Sequence, residues 1–337
     1  MRCYGASSGA VRACMDSALS LGEATRNAER FVCPKGVVGN LCAYSPRAVG
    51  NAGDHLGQCG RLSMVSEPDR YFLGYREAEQ DRLQRQALEL ADDSAWLFDR
   101  VGVSSGQSVV EVGCGPRGCL DLLAARVGPT GVVIGVEPSD EAVSRAREYV
   151  AAQGLNNVDV RVGDGRDTGL DRDAFDVVTT RLVLVNVPRP DELVAEAVAI
   201  ARPGGVVAYH EVTWPLHILD PPLDAWDRLS EIFHAYADRH SVDFYIGRRV
   251  ARLLREHGLL DVEANAISRI YPIGHARRML AVDFIANLRD RFIDEGLVEV
   301  DELDALTAAL LRHLEDPNTM VISNLFIQAW GHKPPEP

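Results

Sequence analysis

The sequence predicts an α/β fold, a mostly parallel sheet with helices on both faces, and three observations carry that expectation. Short apolar runs rich in valine recur at 108–112, 132–137, 158–162, 174–179 and 205–212. Most are separated by amphipathic stretches of about ten residues, the length a crossover helix needs to join parallel strands. A glycine loop, Gly113-x-Gly115-x-x-Gly118, follows the first run directly, where a doubly wound sheet leaves a crevice for a ligand.

The elements follow in order. From Tyr71 onward Leu83, Ala87, Leu90, Trp96 and Leu97 recur mostly at three- and four-residue intervals, so residues 65–100 read as an N-terminal helical lid. Strand 108–112, helix 119–127, strand 132–137 and helix 140–153 come next, the last capped by Ser139 and stopped by Gly154. Strands 158–162 and 174–179, helix 190–201 and strand 205–212 complete a core placed at 101–215. After Val212 the alternation stops. Residues 216–337 are expected to supply an inserted amphipathic helix at 223–237, a helix at 248–258, strands near 261–271 and 320–330, and two helices within 276–315. Residues 1–64 are rich in Gly, Ala, Ser and Cys and lack sustained periodicity. They are expected to be a disordered extension, or upstream sequence read from a start codon placed too early.

Composition narrows the function classes. The chain has 337 residues, 46% of them hydrophobic, enough for a sizeable core. Its 35 basic and 49 acidic residues give a net charge of -14, which repels a phosphate backbone and an anionic membrane surface, so nucleic acid is not an expected partner. No apolar run approaches the roughly 20 residues that span a bilayer, and the N-terminus lacks a secretory apolar region. Membrane insertion is not expected, and a cytoplasmic location is. Five of the seven cysteines precede residue 64 without a Cys-x-x-Cys pair, so no metal site is expected. Cys114 and Cys119 read as small buried residues. Self-association into a homo-oligomer is left open.

Around the glycine loop the run Val109-Val110-Glu111-Val112-Gly113-Cys114-Gly115-Pro116-Arg117-Gly118 reads as a buried strand feeding a nucleoside-binding turn. Alone it also satisfies a dinucleotide-binding pattern. Three acids shift the balance. Glu111, two residues before the loop, would be repelled by a pyrophosphate but would accept hydrogen bonds from an amino group. Glu137 ends the second strand, where a carboxylate suits a ribose diol, and Asp164 ends the third within reach of an adenine amino group. Further along stand Phe175-Asp176-Val177-Val178, Leu184-x-Asn186-Val187-Pro188-x-Pro190 and Arg202-Pro203-Gly204-Gly205-Val206.

In order and spacing these motifs resemble the class I S-adenosylmethionine-dependent methyltransferases, near the branch of ubiquinone/menaquinone and small-molecule enzymes, from about Asp92 to Trp214. The resemblance implies a Rossmann-like seven-stranded sheet whose last strands form an antiparallel pair, with inserted helices shaping an acceptor pocket. It implies S-adenosylmethionine as cofactor and a methyl group transferred to a small, largely apolar metabolite by in-line displacement. A cyclase or a regulatory protein of the same fold, binding the cofactor without transferring methyl, is the alternative. The chain departs from the Gly-x-Gly-x-Gly pattern. Its last glycine comes one residue late, so the loop is expected to bulge, with Arg117 facing either solvent or the methionine carboxylate.

By the same resemblance Glu111, Gly113 and Gly115 hold the methionine end, Glu137 the ribose and Asp164 the adenine, with Gly165 beside it. Arg181 either meets the methionine carboxylate or snorkels at the sheet edge. Tyr71 and Tyr75, four residues apart, share a face and either close over the methionine moiety or pack as ordinary aromatics. For catalysis His210 is the first choice of general base because its unperturbed pKa lies near neutrality, a satisfied structural histidine being the competing reading. His210 and its neighbour Glu211 must project to opposite faces. Asn186 either stands near the transferred methyl or caps its loop. Trp214, His217 and Tyr245 are expected to line the acceptor pocket.

Overall fold

A single seven-stranded sheet, in the order β3-β2-β1-β4-β5-β7-β6, organises the chain. The structure, a computed structural model, describes residues 71–74 and 76–336, so the expectations for 1–64 and for Tyr75 fall outside the described residues. The strands are β1 (Ser108–Val112), β2 (Val132–Glu137), β3 (Val158–Val162), β4 (Phe175–Arg181), β5 (Ala201–Asp220), β6 (Leu260–Ile267) and β7 (Met320–His332). The first five run parallel, while β7 lies antiparallel between β5 and β6. The helices are α1 (Glu77–Glu89), α2 (Ala91–Arg100), α3 (Leu120–Val127), α4 (Asp140–Ala152), α5 (Pro190–Ile200), α6 (Asp224–Arg239), α7 (Val250–Glu256), α8 (Leu280–Asp294) and α9 (Val300–Glu315).

Successive side chains of a strand point to opposite faces, and β1 shows both faces covered. Val109 packs with Leu97, Leu120 and Leu123 from α2 and α3, whereas Val110 and Val112 join Val178, Val194 and Ala197 on the side of α5. The strand order reverses between β1 and β4, since the chain first builds outward to β3 and then returns. In such a sheet the crevice beyond the carboxyl ends of those two strands is where a ligand fits.

Two elements differ from the sequence reading. The lid is two helices, because Leu90, at φ -103° and ψ 10°, breaks the run between α1 and α2. Strand β5 runs eight residues past Val212, because β7 pairs with it from Val206↔His332 to Asp220↔Met320, with an irregularity between Thr213 and His217. Its extra length comes from a partner 100 or more residues away in sequence. No helix among the described residues is long and apolar enough to cross a membrane.

Candidate functional site

The glycine loop is shaped by a carboxylate and by absent side chains. Glu111, fully buried at the end of β1, accepts the Cys119 backbone N–H with both oxygens, at 3.0 and 2.8 Å. That contact ties the strand to the start of α3. Gly118 has φ +55°, and a Cβ there would lie 2.4 Å from Glu111 Oε2 and 2.8 Å from the Cys114 carbonyl. The late third glycine is therefore the residue that lets the acid reach the helix. Gly113 has φ +71° and its N–H donates to the Val136 carbonyl at 2.7 Å; a Cβ would meet Val183 Cγ2 at 2.5 Å. Arg117 takes neither expected course: it pairs with Asp121 at 2.9 Å and lies over the Tyr149 ring.

Burial pushes the Glu111 carboxyl up to about 7, against the pull of Arg181 and the Cys119 bonds. Both of its oxygens accept one N–H from within the loop, and the residue also lines the cavity described below. Arg181, at the end of β4, donates to Ser94 Oγ at 3.0 Å and to the Gly118 carbonyl at 3.1 Å. It braces the loop rather than snorkelling at the edge. Glu137 is buried, accepts from Gly115 N–H and Ser139 N–H at 3.1 Å each, and is raised by desolvation. Asp164 is half-exposed and paired with Arg166, the nearest contact being 2.8 Å. Gly165 has no room for a side chain, since a Cβ would stand 2.7 Å from Val112 Cγ1.

These residues face one cavity of about 970 Å³. Of the residues expected in the site, Glu111, Gly113, Gly115, Glu137, Asp164, Gly165, Arg181, Tyr71, Asn186 and Trp214 line it; His210, His217 and Tyr245 do not. His210 projects to the face opposite Glu211, is buried against Phe326, and has no hydrogen-bond partner for either ring nitrogen among the described residues. Desolvation, then Arg181, Arg277 and Arg269, lower its pKa to about 3, so it is neutral and away from the cavity, unsuited to the general-base role. His217 is also buried, its Nε2 3.0 Å from the Arg277 carbonyl, and burial lowers it to about 4. Tyr245 is 38% exposed and its hydroxyl meets His234. Asn186 donates to the Leu182 carbonyl at 2.8 Å, the loop-capping geometry.

The site residues that sequence reasoning passed over come from four separate parts of the chain. Gln80 and Leu83 on α1, Leu280 and Phe284 near α8, Thr213 on β5 and Phe244 also line the cavity. Only Gln80 left a signal: it shares the apolar face of α1 with Leu83 and Ala87, and an amide on such a face is out of pattern. Tyr71 donates to Glu79 at 3.1 Å, and Glu79 in turn accepts from Arg82 at 2.6 and 2.8 Å. The strap 71–74 is held by Asn287 donating to the Leu73 carbonyl and Arg291 to the Phe72 carbonyl, both at 2.8 Å. Its other side is tied by the Phe72 N–H donating to the Asn186 carbonyl at 3.2 Å.

Residues 109–205 match the family described as "Methyltransferase domain". The chain is 34% identical over 182 residues to an uncharacterized 37.1 kDa protein in transposon TN4556 of Streptomyces fradiae, a span of 52% of this chain and 48% of that one. It is 28% identical over 190 residues to the demethylmenaquinone methyltransferase of Halalkalibacterium halodurans, covering 52% and 77%. To the nocamycin O-methyltransferase of Saccharothrix syringae it is 33% identical over 130 residues, covering 39% and 45%. The matched span is thus about half the length of the first and third of these relatives.

Proposed function

We propose that the chain belongs to the class I S-adenosylmethionine-dependent methyltransferases, with S-adenosylmethionine as cofactor, and that it methylates a small, largely apolar metabolite in the cytoplasm. The observation that carries this reading is the continuity of the cavity. The same cavity is lined by the carboxyl ends of β1 to β4, with the glycine loop, Glu137 and Asp164, and by Trp214, Phe233, Phe244, Leu280 and Phe284. The small-molecule methyltransferases among the relatives agree with it.

The residues present fit the cofactor. Glu137 and Asp164 stand at the ends of adjacent strands and line the cavity, as a ribose diol and an adenine edge require. The loop offers backbone where side chains would intrude. When bound, S-adenosylmethionine supplies a methyl group on a cationic sulfur, displaced in line by the acceptor. The chain's own task is alignment, worth up to roughly 7–11 kcal/mol when two reactants are held in place. The Glu111–Gly118–Arg181 brace fixes the loop, while the strap at Tyr71 and the loop around Asn186 wall the cavity.

The test is calorimetry of the protein with S-adenosylhomocysteine, alongside Glu137→Ala and an NAD control. Micromolar binding, weakened at least tenfold by Glu137→Ala and absent for NAD, is the expected result. A folded wild type that ignores S-adenosylhomocysteine would overturn the reading.

A further inference from the structure

Gln80 is 0% exposed and lines the cavity, yet neither its Nε2 nor its Oε1 has a hydrogen-bond partner among the described residues. Thr213, 2% exposed on β5 next to Trp214, likewise lines the cavity with an unpartnered Oγ1. Buried polar groups are almost always paired, so two orphans on the walls of one cavity call for a ligand that completes them. Gln80 sits one helical turn before Leu83, and a Cβ on Gly115 would approach Leu83 Cδ1 to 4.0 Å.

The charged lining residues are in the opposite condition. Arg82 is held by Glu79 and by Gln86 at 2.8 Å, and Arg277 by Glu89 at 3.0 Å and Tyr271 at 3.1 Å. Arg181 is engaged by Ser94 and Gly118, Glu111 and Glu137 by backbone N–H groups, and Asp164 by Arg166. Each charged lining residue thus already has a partner, and the groups left for an acceptor to satisfy are the neutral amide and the neutral hydroxyl. Beside Thr213 the wall is aromatic: the Trp214 ring stacks on Phe244 at 5.0 Å and 9° and on Trp226 at 5.9 Å and 19°. Such a wall suits a flat ring.

Resting on the methyltransferase reading and deepening it, we infer that the acceptor is an uncharged ring compound bearing a hydroxyl or carbonyl oxygen, recognised by the Gln80 amide and the Thr213 hydroxyl. The amide donates and accepts at once, so it suits a hydroxyl or a hydroxyl beside a carbonyl. Rejection of an analogue lacking the oxygen follows because the orphans would then stay unpaired.

The experiment uses the full chain, with and without S-adenosylhomocysteine, and three probes of one ring size: 1-naphthol, naphthalene and 1-naphthyl phosphate, titrated by their fluorescence. The wild type is expected to bind 1-naphthol about tenfold more tightly than either of the others. Gln80→Met and Thr213→Val should each weaken 1-naphthol about three- to tenfold, leaving naphthalene and S-adenosylhomocysteine unaffected. Gln80→Met should also raise the melting temperature of the unliganded protein by about 2–4 °C, because it removes an unpaired buried amide. A wild type with no preference for 1-naphthol overturns the inference. So does Gln80→Met with lowered melting and unchanged naphthol binding, which marks a structural residue, or with lost S-adenosylhomocysteine affinity, which marks a cofactor residue. If the wild type fails to bind S-adenosylhomocysteine, the methyltransferase reading falls by itself, and naphthol preference and melting shift still decide this one without it.

Discussion

At the scale of single residues, the glycine loop separates two kinds of constraint. Gly154, at φ +65° after α4, has nothing within 4 Å of a Cβ, so Gly154→Ala carries only the cost of a left-handed backbone, about 1 kcal/mol. Gly118, at φ +55°, would add a contact at 2.4 Å to Glu111 Oε2 and another at 2.8 Å to the Cys114 carbonyl. Its alanine variant must either push the carboxylate off the Cys119 N–H or shift the loop. Gly118→Ala is therefore expected to lower stability by about 2–3 kcal/mol and to weaken S-adenosylhomocysteine at least tenfold, while Gly154→Ala leaves affinity unchanged. Urea denaturation and calorimetry on the pair measure both. Equal effects of the two substitutions would show that Gly118 answers to backbone conformation alone.

At the scale of elements, the loop after β4 depends on one carboxylate from β5. Glu211 is fully buried and accepts from the N–H groups of Val183, Leu184 and Val185 at 2.9, 2.8 and 3.4 Å. That loop carries Val183 against Gly113, and Val183, Val185 and Asn186 all line the cavity. Glu211→Gln keeps the shape but turns an amide donor toward the N–H donors, and should lower stability by about 2 kcal/mol or more. Hydrogen exchange should be faster at residues 183–185 than in β1; protection equal to wild type would remove Glu211 from this role. The parallel strands were legible because local signals mark them, apolar runs bounded by glycine and acid. The positions of Glu111, Glu137 and Asp164 on the cavity wall followed from where those strands end. The outer half of β5 was not legible, since only pairing with distant β7 makes it a strand. The misplacement of His210 and His217 has the same origin. Alternation assigned His210 a face, but that it lies under Phe326, away from the cavity, is decided by β7.

At the scale of the whole molecule, buried titratable groups of opposite sense set the response to acid. Glu111 and Glu211 are both raised by desolvation to about 7. A carboxyl raised in the folded state contributes stability that is fully present below its unfolded value, near 4.5, and is lost as pH rises through 7. His210 and His217 are lowered by burial to about 3 and about 4, so their contribution is present above 6.5 and is lost as pH falls through those values. Between roughly pH 5 and 6.5 the two carboxyls gain what the two imidazoles lose, so the contributions of these four groups nearly cancel; below about 4.5, of the four, only the histidine loss continues. His210→Phe breaks this balance, and because both ring nitrogens lack partners among the described residues no hydrogen bond to a described residue is lost with the ring. Relative to wild type the variant should gain roughly 1 kcal/mol for each pH unit below 6, read from urea midpoints at pH 7.5, 6 and 5. A difference that stays constant across those three pH values would mean that His210 titrates in the folded protein as it does in the unfolded one, and the account of its burial would be wrong.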